Sequence, residues 1–359
     1  MAKRKTLSEL RREIDAIDAK ILKLLAQRAR VAQRIGEAKS RRSRGVLDAG
    51  RERAVLGAVK AANPGPLSDK AVEAIFREIV SACRAMQHPT RVAFLGPEGT
   101  FSHAAALKQF GSTAEYEPVE TIADVFASVE AGRACYGVVP IENTTEGAVT
   151  PTLDALASTR LHVVAEITVP IEHWLLSKTG RAEDVRRIVS HPQPLAQCRR
   201  YLAQHFPGVT TEQAASTADA AARAARRKEL AAIASAAAAR VYGLKTVAAA
   251  IQDEPGNKTR FLVVGDDPMP APSGNDRTSL VISVHDEVGI LGRVLEPFSA
   301  NGVNLSMIES RPLPGRPWEY SFFIDVVGHV HGRRLKRALA RVERIAISTK
   351  VLGSYPVAA

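Results

Sequence analysis

From Leu7 to Ile35 the apolar positions recur in alternating steps of three and four: Leu7, Leu10, Ile14, Ile17, Ile21, Leu24, Val31 and Ile35. That spacing predicts one long helix carrying a heptad seam. Ser8, with Glu13 and Asp15 close behind, suits its start. The one interrupted seam position holds Arg28. A charge on an apolar seam costs on the order of several kcal/mol unless it is paired or faces an anion. Lys39 follows about three turns later, within roughly 20° of Arg28 and about 16 Å along the axis, so both side chains are long enough to converge on one ligand between them; the competing reading is that Arg28 pairs with a neighbouring carboxylate and Lys39 is simply exposed. After a break at Gly45-Val46-Leu47-Asp48, the residues Asp48, Arg51 and Glu52 share a face by i, i+3, i+4 spacing. A third helix, from about Ser68 to Gln87, carries Ala71, Val72, Ile75, Ile79 and Ala82 and ends in Cys83 and Gln87. Three helices, one of them very long, cannot bury such a seam within one chain. An intertwined dimer would.

Beyond His88-Pro89-Thr90 the pattern changes from helical to alternating strand and helix. RVAFLG (91–96) reads as a buried strand, and GPEGTFSHAAA (96–106) turns from it into a helix that contains Ser102. A glycine-rich turn at a helix start offers N–H groups to an anion. YGVVPIENTTEGAV (136–149) is a strand running into a polar loop with Glu142, Asn143 and Thr144. VRRIVSHPQPLAQCRRYL (185–202) repeats the arrangement, with Ser190 and His191 past the strand and Gln197 on the helix that follows. Polar clusters past strand ends are where open α/β sheets bind ligands. Asn143 and Ser190 as helix caps, and His191 as a structural surface residue, are the competing readings. The alanine-rich run from Ala214 to Arg240 reads as an exposed helix and its neighbour; its basic residues lack the interleaved aromatics of a nucleic-acid surface.

GDDPMPAPSGND (265–276) is a linker by its Pro, Gly and Asp content. After it come SLVISVH, a helix from Gly289 to Ala300, NLSMIES, WEYSFFIDVVG, a helix from Gly332 to about Arg344, and TKVLGSYP. That order is βαββαβ, a ferredoxin-like unit.

Composition narrows the class. The chain has 359 residues, 45% apolar and 24% charged, which predicts two to three globular domains. No apolar run is long enough for a membrane span or follows the basic start as a secretory signal would. Three scattered cysteines, Cys83, Cys135 and Cys198, predict neither a disulfide framework nor zinc, and suggest a cytoplasmic protein. His103 and His191 have no ligand partners at usable spacing, so no metal is expected. The net charge of +11 first suggests nucleic acid. However, residues 1–60 hold 17 Lys+Arg against 7 Asp+Glu, so the excess is local to the N-terminal helices.

Residues 7–88 resemble the all-helical chorismate mutase family, whose members form an entwined helical dimer. The resemblance implies Arg11, Arg28, Lys39, Asp48, Glu52, Cys83 and Gln87 as site residues, with cysteine at 83 where the family often has serine. Two arginines would clamp the carboxylates of chorismate, Lys39 and Gln87 would donate to its ether oxygen, and Asp48 and Glu52 would accept from the ring hydroxyl or orient Lys39. Arg11 lies about 100° around the helix from Arg28; by resemblance it serves the partner's site.

GPEGTFSHAA, VVPIENTTEG, SHPQPLAQC and NKTRFLVVG (257–265) together resemble prephenate dehydratase. That resemblance implies a two-lobed α/β domain, like a periplasmic binding protein, with a cleft lined by Ser102, Glu142, Asn143, Thr144, Ser190, His191, Gln197, Thr259, Arg260 and Phe261. Prephenate would lose carbon dioxide and hydroxide to give phenylpyruvate, with Thr259 donating a hydrogen bond to the leaving oxygen. Arg260 would bind a carboxylate or pair internally, and Glu142 or His191 remains open as the proton source. DEVGILGRVL and ESRPLPGRPWEY resemble the ACT amino-acid-sensing domain. This implies phenylalanine as effector, held by Gly289, Ile290, Leu291, Glu309, Ser310 and Arg311. The family commonly reads Gly-Ala-Leu-Val at Gly289-Ile290-Leu291-Gly292; the larger Ile290 either crowds the effector or points away.

The whole chain thus resembles the bifunctional chorismate mutase–prephenate dehydratases, with domains at 1–88, 91–267 and 276–359. Expected are no cofactor, no nucleic-acid or membrane partner, and a homodimer or higher homo-oligomer. A non-catalytic sensor with a nucleic-acid-binding arm, or a mutase fused to prephenate dehydrogenase, are the rivals. The absence of a dinucleotide fingerprint counts against the second.

Overall fold

A computed structural model describes residues 5–40, 47–87, 89–267, 269, 271–312 and 319–358, except for the side chains of Lys39, Ser40 and Glu319. The expected break at Gly45-Val46, His88 of the linker and the LPGRPW part of the ESRP motif lie outside the described residues. The chain divides into two compact units, one of residues 1–90 with 111–114, the other of the remaining residues from 91 onward.

The first unit is helical: Leu7–Ser40 (α1), Ala49–Ala61 (α2) and Asp69–Ala85 (α3). Thr6 and Glu9, rather than Ser8, begin α1: the Thr6 N–H donates to Glu9 and the Glu9 N–H to the Thr6 hydroxyl. At 34 residues, α1 is about 51 Å long. Its seam stays on the surface of the single chain, with Leu7, Ile14 and Leu24 more than half exposed and Ile17, Ile21, Val31 and Ile35 nearly so. Asp48 caps α2 through the Arg51 N–H, and Ser68 caps α3 through the Ala71 N–H. Gly36 lets α1 approach α3 closely; a Cβ there would meet the Gln87 side chain at 2.9 Å.

The second unit begins with Arg91–Leu95 (β1), Phe101–Phe110 (α4), Glu115–Val119 (β2), Ile122–Glu130 (α5), Tyr136–Asn143 (β3), Gly147–Ala148 (β4), Thr150–Ser158 (α6) and His162–Pro170 (β5). The chain then crosses to a second lobe: Trp174–Ser177 (β6), Arg187–Ser190 (β7), Pro192–Gln197 (α7), Arg199–His205 (α8), Thr210–Gln213 (β8), Thr217–Arg226 (α9), Leu230–Ala234 (β9), Ala236–Val241 (α10) and Lys245–Ala248 (β10). It returns as Lys258–Gly265 (β11). The first lobe's sheet has strand order β2-β1-β3-β11-β5, with β4 paired to β3; the second lobe's has β10-β6-β9-β7-β8. The alanine-rich run expected to be an exposed helix and its neighbour contains β9, the middle strand of the second sheet, buried at every residue. Alanine fits there because layers pack on both faces.

The βαββαβ reading matches the final segment: Asp276–His285 (β12), Ile290–Ala300 (α11), Leu305–Pro312 (β13), Glu319–Val327 (β14), Arg333–Val342 (α12) and Ser348–Pro356 (β15), with sheet order β13-β14-β12-β15. Its two faces have different fates. Leu280, Ile282, Val284, Phe322, Ile324 and Val326 pack beneath α11 and α12 with Val294, Phe298, Leu335 and Leu339. On the other face Val281, Phe323, Leu352 and Tyr355 enter the core of the first lobe, beside Ile141, Leu153, Leu156 and Leu262.

Candidate active sites

In the helical unit Arg28, Asp48, Glu52, Cys83 and Gln87 line one cavity of about 550 Å³, walled by Val31, Ala32, Ile35, Val55 and Val80. Lys39 lies on α1, three turns beyond Arg28. Two residues that the sequence reading did not assign to the site share the cavity: Arg51, singled out only for its place on the Asp48 face, and Arg84. Arg84 is almost fully buried and pairs with Glu52 at 2.6 Å. Glu52 therefore has a cationic partner within the wall, and Asp48 already accepts from the Arg51 N–H. An apolar cavity holding several guanidinium groups suits a compact dianion. Arg11 does not line it.

In the two-lobed unit, pairing register decides which residues meet. Thr259 on β11 lies opposite Asn143 on β3, and Arg260 lies opposite Glu142. Neighbours along a strand point to opposite faces, so the two pairs separate. On one face Asn143 is fully engaged. Its Oδ1 accepts from the N–H groups of Thr145 (2.9 Å) and Glu146 (3.2 Å). Its Nδ2 donates to Thr259 Oγ1 at 2.8 Å and to Asn257 Oδ1 at 2.9 Å. The turn thus fixes which end of the amide faces Thr259. Because Thr259 Oγ1 accepts from Asn143, its own proton is directed away from Asn143. Thr144 donates to Asn257 and accepts from the Lys258 N–H, tying the loop to the return strand. Asn257 was not singled out in the sequence, although it lies within the NKTRF string.

On the opposite face Arg260 pairs internally: Asp325 of β14 lies at 2.6 Å, Glu142 at 3.3 Å and Glu166 at 3.4 Å. Burial works to lower the guanidinium pKa, but the charges of Asp325, Tyr355 and Glu166 raise it on balance. Glu166 also receives Arg277 at 2.5 Å and the Ala358 N–H at 2.6 Å. Arg260 is therefore turned toward the C-terminal domain and away from Thr259, and so is Glu142. Phe261 is 1% exposed and a core side chain.

Ser190, expected at a strand end facing ligand, is wholly buried and donates to the Ile233 carbonyl at 2.7 Å. His191 is the N-cap of α7, its Nδ1 facing the Gln193 N–H. Gln197, on the last turn of α7, faces His173 Nε2 at 2.7 Å. Cys198 behind it is buried, which pushes its thiol up to about 12 and leaves no thiolate for nucleophilic chemistry. Ser102 is buried in the first turn of α4. The Gly99 turn before it is occupied: its N–H donates to His103 Nδ1 at 3.1 Å and its carbonyl accepts from Ser235 Oγ of the second lobe at 2.7 Å. Tyr242 reaches the Glu98 carbonyl in the same way, so the turn spans the two lobes.

In the C-terminal domain Gly289, at φ +79°, caps α11 without a side chain, a backbone state that suits glycine. Ile290 packs against the domain's own core, while Leu291 is exposed. Along β13 burial alternates: Met307, Glu309 and Arg311 are half-buried, and Ile308 and Ser310 are exposed. The effector string is thus split across two faces. Arg311 pairs with Asp154 of α6 at 3.2 Å.

The prephenate dehydratase family model matches residues 92–269, the type II chorismate mutase model residues 10–88 and the ACT domain model residues 278–344. The chain is 43% identical over 364 residues to the bifunctional chorismate mutase/prephenate dehydratase of Stutzerimonas stutzeri, covering all of both proteins. The chain belongs to this bifunctional family. It carries a chorismate mutase domain, a prephenate dehydratase domain and an ACT domain, and is an enzyme of phenylalanine biosynthesis. Among solved structures, the prephenate dehydratase of Arthrobacter aurescens in complex with L-Phe is 37% identical, with a TM-score of 0.68 over 74% of this chain and 90% of that one. GqqA, described as a novel type of quorum quenching acylase, is 32% identical, with a TM-score of 0.70 over 74% of this chain and 97% of that one. Among the described residues, no helix is long and apolar enough to cross a membrane.

Proposed function

We propose that chorismate rearranges in the Arg28 cavity and that prephenate is dehydrated where Asn143 and Thr259 meet, the segments 1–88, 91–267 and 276–359 acting as mutase, dehydratase and effector domains. The observation that carries the dehydratase assignment is the fixed Asn143–Thr259 bond at 2.8 Å. A threonine is a poor acid, but one whose oxygen already accepts has its proton committed to another acceptor. Here that acceptor is the hydroxyl leaving prephenate as carbon dioxide departs. With Glu142 drawn to Arg260 on the other face, His191 is the remaining proton source among the two considered.

In the mutase cavity Arg28 and Arg51 provide cationic charge for the two carboxylates, and Lys39 and Gln87 donate to the ether oxygen. Arg11 lies seventeen residues before Arg28, about 25 Å along α1, and serves the site of a second copy. The same copy covers the exposed seam, so the working form is a homodimer or a larger homo-oligomer. We assign no cofactor to either step and a cytoplasmic location to the protein, with neither nucleic acid nor membrane as a partner. Phenylalanine binds the ACT domain near Gly289, Leu291, Glu309 and Ser310 and inhibits the dehydratase.

The test is to supply chorismate to the full chain and follow prephenate and phenylpyruvate in time. Prephenate should rise and then be consumed, and phenylalanine should slow the second phase alone. Prephenate accumulating without phenylpyruvate would refute the dehydratase assignment. No response at millimolar phenylalanine would refute the effector assignment.

A further inference from the structure

His173 belongs to none of the motifs from which the site was read, yet it lies where the two lobes join. It follows β5 on the outward crossing, and its backbone is held to the return crossing twice. Its N–H donates to Gln252 Oε1 at 3.0 Å, and its carbonyl accepts from the Ile251 N–H at 2.8 Å. The residue is 2% exposed. It meets Phe101, at the start of α4 in the first lobe, edge to face with ring centroids 6.0 Å apart. On the other side its Nε2 contacts Gln197 Oε1 of the second lobe at 2.7 Å, while its buried Nδ1 has no hydrogen-bond partner among the described residues. One tautomer suits these surroundings: the proton sits on Nε2, which donates to the amide oxygen. Burial favours the neutral imidazole and lowers its pKa on balance, against the bond to Gln197, which raises it.

We infer that His173 is a positioning residue for the dehydratase, holding Gln197 by its side-chain oxygen so that both amide N–H groups are presented to the anionic substrate. The inference rests on the reading of Gln197 as a substrate contact. An amide has two ends of nearly equal shape and opposite polarity. Turned over, Gln197 would offer an oxygen lone pair to a carboxylate and repel it. A fixed donor on the oxygen removes that alternative before substrate arrives, at a point tied to both crossings and touching both lobes.

The test uses the full chain and supplied prephenate, with mutase turnover and melting temperature as folding controls. His173→Phe keeps the bulk and removes the donor. It should lower dehydratase kcat/KM roughly ten- to a hundredfold, mainly through KM. His173→Gln, whose amide nitrogen reaches the place of Nε2, should recover most of the loss; His173→Asn, whose nitrogen falls at the place of Nδ1, should not. This second pair decides the matter if the Phe variant fails to fold. In a Gln197→Ala background, His173→Phe should cost nothing further. A Gln197→Ala chain with undiminished activity would overturn the reading of Gln197 and this inference with it. Losses that multiply in the double variant, or equal loss in the Gln and Asn variants, would overturn the inference alone.

Discussion

The helical unit leaves Leu7, Ile14, Leu24 and the rest of its seam on the surface, while the ACT domain sets Val281, Phe323, Leu352 and Tyr355 into the core of the neighbouring lobe. Both are segments with their own recognisable motifs, and they differ in what completes them. The cavity proposed for the mutase contains every assigned residue whose side chain is described except Arg11, and the seam of its long helix is exposed. The ACT domain has its cover already, and supplies Asp325 as counter-charge for an arginine adjacent to Thr259. A sequence motif therefore does not define a unit that can be removed. Separability depends on whether apolar area and buried charge close within the segment.

The largest effect that would break this contrast is truncation. A chain ending at residue 275 should fail to form a folded dehydratase. The deletion strips Val281, Phe323, Leu352 and Tyr355 from the lobe's core and takes Arg277 and Asp325 from its charge cluster; at about 1.5–3 kcal/mol for each large buried apolar side chain, the loss rivals a total stability of about 5–15 kcal/mol. Circular dichroism melting and gel filtration check it; a soluble fragment with a cooperative transition would show that the shared core is divisible.

Next in size are two substitutions that sharpen the contrast between the sites. Arg28→Ala should lower mutase turnover at least about 100-fold, equivalent to roughly 3 kcal/mol, and leave dehydration of supplied prephenate unchanged. Equal loss of both activities would mean that Arg28 holds structure instead. Thr259→Val, nearly isosteric, should lower phenylpyruvate formation by about 100-fold, so that prephenate accumulates from chorismate. Unchanged formation would move attention to His191. Mixing inactive Arg11→Ala and Arg28→Ala chains should restore part of the mutase activity, since one of the two hybrid sites would be intact. A stable, active monomer by sedimentation would contradict it.

The smallest expected effect is at Ile290. Its side chain packs against the ACT core, so Ile290→Ala should leave phenylalanine affinity within about twofold while lowering stability by roughly 1 kcal/mol. Calorimetric titration measures the first; several-fold tighter binding would show that the isoleucine crowds the effector.

Local patterns and helical periods in the sequence reveal the strands and the long helix. The gathering of Arg28, Asp48, Glu52, Cys83 and Gln87 is implied by the resemblance to the chorismate mutases rather than by spacing. The side of the sheet on which a residue acts is not local. Glu142 and Asn143 are adjacent in sequence and equally polar, and only the pairing with β11 sends one to Arg260 and the other to Thr259. Asp325 lies sixty-five residues beyond Arg260 in a strand that reads as ordinary sheet. Arg84 passed unnoticed because its partner Glu52 lies on another helix. His173 has no motif at all; only its contacts with Phe101 and Gln197 distinguish it. The strand β9 looked helical because alanine carries little of the β-branched signal, and its burial comes from the sheets and helices around it.

The charge cluster around Glu166 also bears on how the protein is made. Glu166 and Arg260 lie on β5 and β11, but their partners Arg277 and Asp325 are in β12 and β14, and the packing of β15 against the lobe comes later still. During synthesis the first helices emerge long before the dehydratase lobe can close its buried charges. A chain interrupted before Asp325 leaves Arg260 with the carboxylates of Glu142 and Glu166 alone, and leaves the lobe without the ACT side chains that complete its core. Closure of the dehydratase core therefore waits on the last strands of the chain, although every strand of the two lobes has by then been made.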